Sequence, residues 1–169
     1  MEDLSEVYTS YANEIKLFLL CLTSHADLAE ELTQETFYQA VKSIERYDGE
    51  CKMSVWLCQI AKHSYYDHLK REKYRNYSSL EHLAQTGIEL PSNEDLPDIA
   101  VIKQDTQQKV QEEIQRLKEP QREIFLLRTK LELSFKEIGM IFEKNENWAR
   151  VTYYRAKCTL AERLDKNEM

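Results

Sequence analysis

The chain has 169 residues, 31% of them charged, a net charge of −7, and only three glycines and three prolines. That length holds one medium domain or two small ones, and so few helix breakers make helices the first expectation. No run approaches the roughly 18 uninterrupted apolar residues that a membrane span needs, and the acidic start Met1-Glu2-Asp3 is unlike a secretory signal, so a cytoplasmic protein is expected.

In chain order, the first predicted helix runs from about Asp3 to Leu22, with Leu4, Tyr8, Tyr11, Ile15, Phe18 and Leu22 recurring every three or four residues as its inward face. The second runs from about Asp27 to Ile44. Asp27 is expected to cap it with Glu30 in the capping-box position, and Leu28, Leu32, Phe37, Val41 and Ile44 are expected to face inward. After a turn at Arg46-Tyr47-Asp48-Gly49-Glu50, Ser54 is expected to cap a third helix from about Val55 to Lys73. Its inward residues would be Trp56, Leu57, Ile60, Ala61, Ser64 and Leu69, with Lys62, His63, Tyr66, Lys70, Arg71 and Lys73 outward.

Residues 76–100 differ in kind. They hold Ser78-Ser79, Gly87, Pro91 and Pro97 and no Lys or Arg, which predicts a flexible acidic linker with one short helix near Leu80–Ala84. Beyond it, Ile102, Val110, Ile114 and Leu117 mark a helix. Pro120 suits the first position of the next, which reaches about Lys130 with Ile124, Phe125 and Leu127 buried. Ser134 and Glu137 form a capping box for a very short helix that stops near Phe142. Asn145 caps the last, about Glu146 to Leu164, whose inward residues would be Ala149, Tyr153, Ala156, Leu160 and Leu164. The fold class is therefore all-α: two small helical domains, 1–75 and 101–169, joined by a linker over 76–100.

Charge follows these segments. Residues 1–50 balance to −8, residues 51–75 to +4 and residues 76–100 to −5. Such blocks suit separate surfaces with separate partners. The short helix, the turn and the longer helix over 134–164 have helix-turn-helix spacing, with Gly139 permitting a close crossing. Asn147, Trp148, Arg150, Val151, Thr152, Tyr154 and Arg155 would then lie on the first turns of a recognition helix. There Arg reads guanine edges, Asn pairs with adenine, and Val or Thr touches a thymine methyl. Spacing alone leaves open a generic helical hairpin with a solvated basic face.

In the third helix and the loop before it, Lys52, Lys62, Lys70, Arg71, Lys73 and Arg75 are interleaved with Trp56, Tyr65, Tyr66 and Tyr74, a pattern suited to single-stranded DNA; Trp56 itself reads better as core. The acidic face of the second helix, Asp27, Glu30, Glu31, Gln34 and Glu35, would repel DNA and suits a basic protein partner or simply water.

Chemistry finds no footing. There is no Gly-rich phosphate loop, nucleophile elbow or His-Glu metal helix. Cys21, Cys51, Cys58 and Cys158 form no Cys-x-x-Cys pair, and His63 and His68 miss the i, i+4 spacing. No catalytic residue, metal, cofactor or small-molecule substrate is expected, and the cysteines read as free thiols, Cys58 and Cys158 as small apolar residues within helices.

Three segments in order resemble the sigma-70 family of RNA polymerase sigma factors. DLAEELTQETF (Asp27 to Phe37) is similar to its polymerase-binding helix, and Tyr47 to Glu72 to its promoter-melting and minus-ten segment. Leu117 to Lys157 resembles its minus-thirty-five-binding domain. The size and the presence of only two domains match the extracytoplasmic-function group. The resemblance implies that Asp27, Glu30, Glu31, Gln34, Glu35 and Phe37 meet the polymerase core, whose clamp helices and flap are the expected contacts. It implies that Asp48, Gly49, Lys52, Met53, Lys62, His63, Tyr66, Lys70 and Arg71 meet minus-ten DNA, with an unpaired base captured by the loop. Asn147, Trp148, Arg150, Val151, Thr152, Tyr154 and Arg155 would meet the minus-thirty-five element. An anti-sigma factor, often membrane-anchored, is the implied regulator. The sequence departs from the family pattern at Glu143, at the Asn147-Trp148 pair and at Val151-Thr152, and Glu50 makes the loop less basic than many. The rival reading is a stand-alone helix-turn-helix regulator that binds duplex DNA, as a dimer, without polymerase.

Overall fold

The computed structural model describes residues 3–83 and 104–167, with side chains for residues 3–76 and 106–167. Every regular element among the described residues is helical: α1 (Leu4–Thr23), α2 (Ala26–Ser43), a 3-10 turn (Ile44–Arg46), α3 (Met53–Leu83), α4 (Gln104–Gln115), α5 (Gln121–Lys130), α6 (Phe135–Ile141) and α7 (Glu146–Asn167). α1, α2 and α3 pack on one another, α4, α5 and α6 pack against α7, and the two groups meet where α1 touches α5 and α3 touches α6. The expected flexible character of the linker falls largely on 84–103, outside the described residues.

α1 starts where Asp3 accepts the Ser5 N–H at 3.2 Å, and it ends at Ser24, which adopts a left-handed conformation with its N–H bonded to Leu20 O. Its buried arc is Val7, Ile15, Phe18, Leu19, Cys21 and Leu22. The expected Leu4 and Tyr8 remain 42% and 44% exposed. The arc is rotated and broadened because α1 faces α2, α3 and α5 at once. Burying Ile15, Phe18 and Leu19 fully contributes about 1.5–3 kcal/mol each before entropy is counted.

α2 corrects the predicted cap. His25, in extended conformation and without a side-chain cap bond, is the N-cap, and Asp27 lies inside the first turn, where its charge still complements the helix dipole. Ala29, Leu32, Phe37 and Ala40 are buried with Thr33 and Thr36, whose hydroxyls donate back to Ala29 O and Leu32 O at 2.6 Å. Val41, expected inside, is exposed.

α3 begins at Met53 rather than after Ser54, with the Trp56 N–H donating to Lys52 O at 3.1 Å. It also continues past the predicted end at Lys73, through to Leu83, so the break expected from residue 76 is not where the helix ends. Pro120 occupies the N-cap of α5 instead of its first turn. Ile102 lies outside the described residues, and Phe125 is half-buried, its ring stacked 5.8 Å from that of Tyr153.

One contiguous apolar core crosses both groups, from Val7, Phe18 and Leu57 through Ile124, Leu127 and Ile138 to Ala149, while Leu117, Ala156 and Leu160 form a smaller cluster between α4 and α7. The four cysteines are free thiols. Burial pushes the Cys21 thiol up to about 11 and the Cys58 thiol higher still. Cys158 is exposed, contrary to the apolar role expected of it. No helix among the described residues is long and apolar enough to cross a membrane, and among them no cluster of three His, Cys, Asp or Glu side chains could hold a metal.

Candidate polymerase and nucleic-acid interfaces

Three surfaces bear the residues singled out above. On α2, Asp27, Glu30, Glu31 and Gln34 are exposed and Glu35 is half-buried. Glu30 is ion-paired with Lys16 of α1, and Glu35 accepts a bond from Gln39 Nε2 at 2.7 Å. Glu31 and Gln34, three residues apart, therefore lead the face. Phe37 does not belong to it: the residue is only 8% exposed, and its ring meets Tyr8 edge-on at 4.8 Å. Phe37 holds the face from beneath, because its position on the helix turns it toward α1.

The second surface is the loop before α3 and the outer side of that helix. The Asp48 carboxylate accepts the Glu50 N–H at 3.0 Å, which shapes the turn, and Gly49 sits at φ +77°, where a side chain would be strained. The Tyr47 hydroxyl donates to Cys51 O at 2.6 Å, and its ring packs 5.2 Å from Trp56, which is half-buried and packs against the core rather than within it. Met53 is half-buried, whereas His63, Tyr66, Lys70 and Arg71 are exposed. Although Tyr66 is 37% exposed, partial burial of its hydroxyl, then the nearby Glu123 and Glu119 carboxylates, raise it above its ordinary value.

Lys62 is a correction, because it is 5% exposed and points inward, its ammonium 5.4 Å from the centre of the Phe142 ring. Burial pulls its pKa down, partly countered by Glu143. The sequence pattern places Lys62 outward as long as only α1 and α2 count as neighbours of α3. α6 covers its side of the helix instead.

The third surface is the helix-turn-helix. Ser134 and Glu137 make the predicted capping box, Ser134 N–H to Glu137 Oε2 at 2.9 Å and Glu137 N–H to Ser134 Oγ at 3.1 Å. The turn closes with the Lys144 N–H on Gly139 O at 2.8 Å and with Glu143 at φ +57°, the position where the resemblance leads one to expect glycine. The Asn145 side chain accepts the Trp148 N–H at 2.7 Å and so caps α7.

Along α7, Asn147, Arg150, Val151, Tyr154 and Arg155 are exposed, and Cys158 extends the same stripe at helical spacing. Arg150 is held by Glu146 at 2.9 Å. Two expected members turn away from this stripe. Trp148 is half-buried, its ring 5.8 Å from Phe142, and Thr152 is buried, donating to Trp148 O at 2.7 Å.

Two side chains that sequence reasoning did not assign to a surface join these elements. Glu137 Oε1, beyond its capping role, bonds Lys52 Nζ at 2.9 Å, and Gln59 Nε2 donates to Met140 O at 2.9 Å. Burial alone would raise the Glu137 carboxyl, but the Ser134 N–H and the Lys52 ammonium together hold it below its usual range. The bond to Glu137 in turn raises Lys52. Separations of 85 and 81 residues hide both contacts from any local pattern.

Residues 7–75 match the family model for sigma-70 region 2, and residues 107–160 match that for sigma-70 region 4. The chain belongs to the sigma-70 family, in its extracytoplasmic-function group. This sigma factor is 25% identical over 169 residues to RNA polymerase sigma factor YlaC of Bacillus subtilis (strain 168), covering 98% of this chain and 94% of that one. It is 39% identical over 70 residues to the ECF sigma factor SigM of the same organism, covering 41% and 42% of the two chains. Its fold is similar to that of the sigma factor RpoE in complex with the anti-sigma factor NepR from Bartonella quintana, with a TM-score of 0.73 at 20% identity over 98% of both chains. CnrH, in complex with the cytosolic domain of CnrY, is similar at a TM-score of 0.64 and 14% identity, over 96% of this chain and 88% of that one. As a sigma factor the chain joins core RNA polymerase to promoter DNA.

Proposed function

We propose that the three surfaces divide the work of initiation. Glu31 and Gln34 of α2, with Asp27, Glu30 and Glu35 around them, meet the polymerase core. The loop at Asp48, Gly49, Lys52 and Met53, with His63, Tyr66, Lys70 and Arg71 of α3, meets the melted minus-ten element. Asn147, Arg150, Val151, Tyr154 and Arg155 meet the minus-thirty-five major groove. Lys62, Trp148 and Thr152 support these surfaces from within.

The exposed α7 stripe carries this reading. Its two arginines, an asparagine and apolar Val151 supply donors for base edges and phosphates beside a methyl-contacting side chain, while α6 braces the helix from behind. The role is one of binding, without chemistry of its own, and we place it in the cytoplasm beside the polymerase. The domains divide as 1–75, 76–100 and 101–169, with α3 reaching into the connecting segment.

An anti-sigma partner, as seen on RpoE, completes the reading; it would hold the chain inactive, and a membrane anchor on that partner would keep it at the inner face.

Purified core polymerase and run-off transcription on a promoter library test the assignment. Glu31→Ala with Gln34→Ala should weaken core capture. Arg150→Ala with Arg155→Ala should leave capture intact and abolish promoter-specific transcripts. Tight, polymerase-independent binding to a duplex operator would instead favour the stand-alone regulator.

A further inference from the structure

Arg150 and Arg155 share the exposed stripe of α7 but are held differently. The Arg150 guanidinium donates from Nη2 to Glu146 Oε1 at 2.9 Å, one turn earlier on the same helix. Its central carbon lies 5.5 Å from the centre of the Phe135 ring on α6. Glutamate four residues before a cation is the favoured order for such a pair, because the carboxylate then sits at the positive end of the helix. Phe135 is itself fixed. Its ring lies 5.5 Å from that of Tyr153, which stacks on Phe125 at 5.8 Å. The Arg128 guanidinium, anchored on Leu133 O at 2.9 Å, approaches the same ring at 4.7 Å. α5, α6 and α7 thus meet in one aromatic stack, and Arg150 rests on it. Arg155, further along α7, has neither an ion pair nor a ring contact among the described residues.

A carboxylate is costly on a surface that meets DNA. Glu146 is 51% exposed and repels nearby phosphates. Its place there is accounted for if it holds Arg150 in one orientation. An arginine that chooses its rotamer on binding gives up entropy, and it can settle on a phosphate as readily as on a base. One already fixed gives up less and presents its remaining N–H groups in a single direction. We propose that Glu146 and Phe135 are positioning residues for sequence readout: they fix the Arg150 guanidinium to read a guanine edge in the minus-thirty-five element, while Arg155 meets phosphate. The proposal rests on the reading of the α7 stripe as the DNA-facing surface. Each contact is weak, because Arg150 is itself 44% exposed, so positioning changes discrimination by small factors.

Holoenzyme assembled from core polymerase and the full chain tests this on a promoter from the run-off screen, randomised over its minus-thirty-five segment, by sequencing the duplex it retains. The native chain should show one position with a guanine preference of roughly five- to hundredfold, which Arg150→Ala flattens. Glu146→Ala and Phe135→Leu should each lower that preference about two- to fivefold and leave the other positions as they were. Summed retention should not fall in Glu146→Ala, which removes a charge that repels phosphate. Glu146→Gln keeps an acceptor at the same reach and should lose less than Glu146→Ala; an equal or larger loss overturns the hydrogen-bonded positioning. A fall shared by all positions, in Arg150→Ala or in either partner variant, is what a structural residue or a phosphate contact gives and overturns the proposal. An unchanged guanine preference does the same. Loss of a cytosine preference in Glu146→Ala but not in Arg150→Ala would make the carboxylate a reader in its own right, against the positioning role. Should Phe135→Leu unfold α6, Glu146→Ala, at an exposed position, decides alone. If Arg150→Ala with Arg155→Ala changes neither preference nor retention, the DNA-facing reading of α7 itself fails. Flattening in Arg150→Ala without an effect of Glu146→Ala or Phe135→Leu defeats only the positioning.

Discussion

A Cβ on Gly139 would lie 2.9 Å from the carbonyl oxygen of Asn145, and also 2.9 Å from that of Lys144. Both obstacles are backbone, in the turn that the Lys144 N–H closes on Gly139 O, so neither can swing aside. Gly139→Ala must therefore push α7 away from α6. We expect it to lower stability by about 1–3 kcal/mol, the usual cost of overpacking, and to weaken minus-thirty-five binding more than core capture. Thermal unfolding with both binding assays checks this; an unchanged midpoint would mean that the turn yields freely.

Glu123 of α5 is 3% exposed, its Oε2 finds no hydrogen-bond partner, and Arg122 approaches its Oε1 at 3.2 Å. Burial, with Glu119 nearby, pushes its carboxyl from 4.5 to about 7 despite the backbone bond and Arg122 pulling the other way. Because the folded-state pKa is raised, the protonated carboxyl's contribution is fully present below about 4.5 and is lost as pH rises through about 7. Glu123→Gln should flatten the stability profile across that window and raise the unfolding midpoint at pH 8. A carboxyl whose pKa is raised by one disfavours its charged form by about 1.4 kcal/mol. Denaturant melts at several pH values give the slope, and one that persists in the variant would assign it to another group.

Lys62 and Phe142 make a second buried charged contact, at 5.4 Å from the ring centre. Burial lowers the ammonium's pKa, so its stability contribution is complete only above the unfolded-state value and declines as pH falls through the folded one. At neutral pH the charge is a net cost, which the ring offsets by about 0.5–2 kcal/mol. Lys62→Met keeps the volume and removes that cost, so its unfolding midpoint at pH 7 should exceed that of the unchanged chain. A lower midpoint would show the cation–ring contact to outweigh desolvation.

Local chemistry makes the helix-turn-helix legible in the sequence itself. Ser134 with Glu137, glycine at 139 and Asn145 each act within a few residues of their partners, so spacing alone locates them. Where the sequence misleads, a distant element decides the outcome. Leu4 and Tyr8 give way to Val7 and Leu19 because α1 serves three neighbours, and Lys62 turns inward because α6 lies on it. The end of α3 is a different miss. Residues 74–83 contain neither Gly nor Pro, so nothing stronger than two serines opposes the helix there, and a fall in basic charge does not by itself end one. Phe37 is legible as core from its spacing, and motif resemblance alone draws it onto the surface.

The α7 stripe gives the sharpest contrast between side chains proposed to touch DNA and those that hold the helix. Arg155 is exposed, whereas Trp148, four residues after Lys144, packs on Phe142 and passes its carbonyl to the Thr152 hydroxyl. Arg155→Ala should leave the unfolding midpoint within experimental error, weaken duplex promoter binding, and reduce the salt slope of that binding by about one if its contact is a phosphate. Trp148→Ala should lower stability by about 3–5 kcal/mol if the site behaves as core, less if it relaxes, and weaken binding without changing the slope. The two variants thus separate on a plot of log affinity against log salt, Trp148→Ala shifting the line and Arg155→Ala tilting it. If both tilt it equally, Trp148 reaches the DNA and the packing seen against Phe142 gives way on binding.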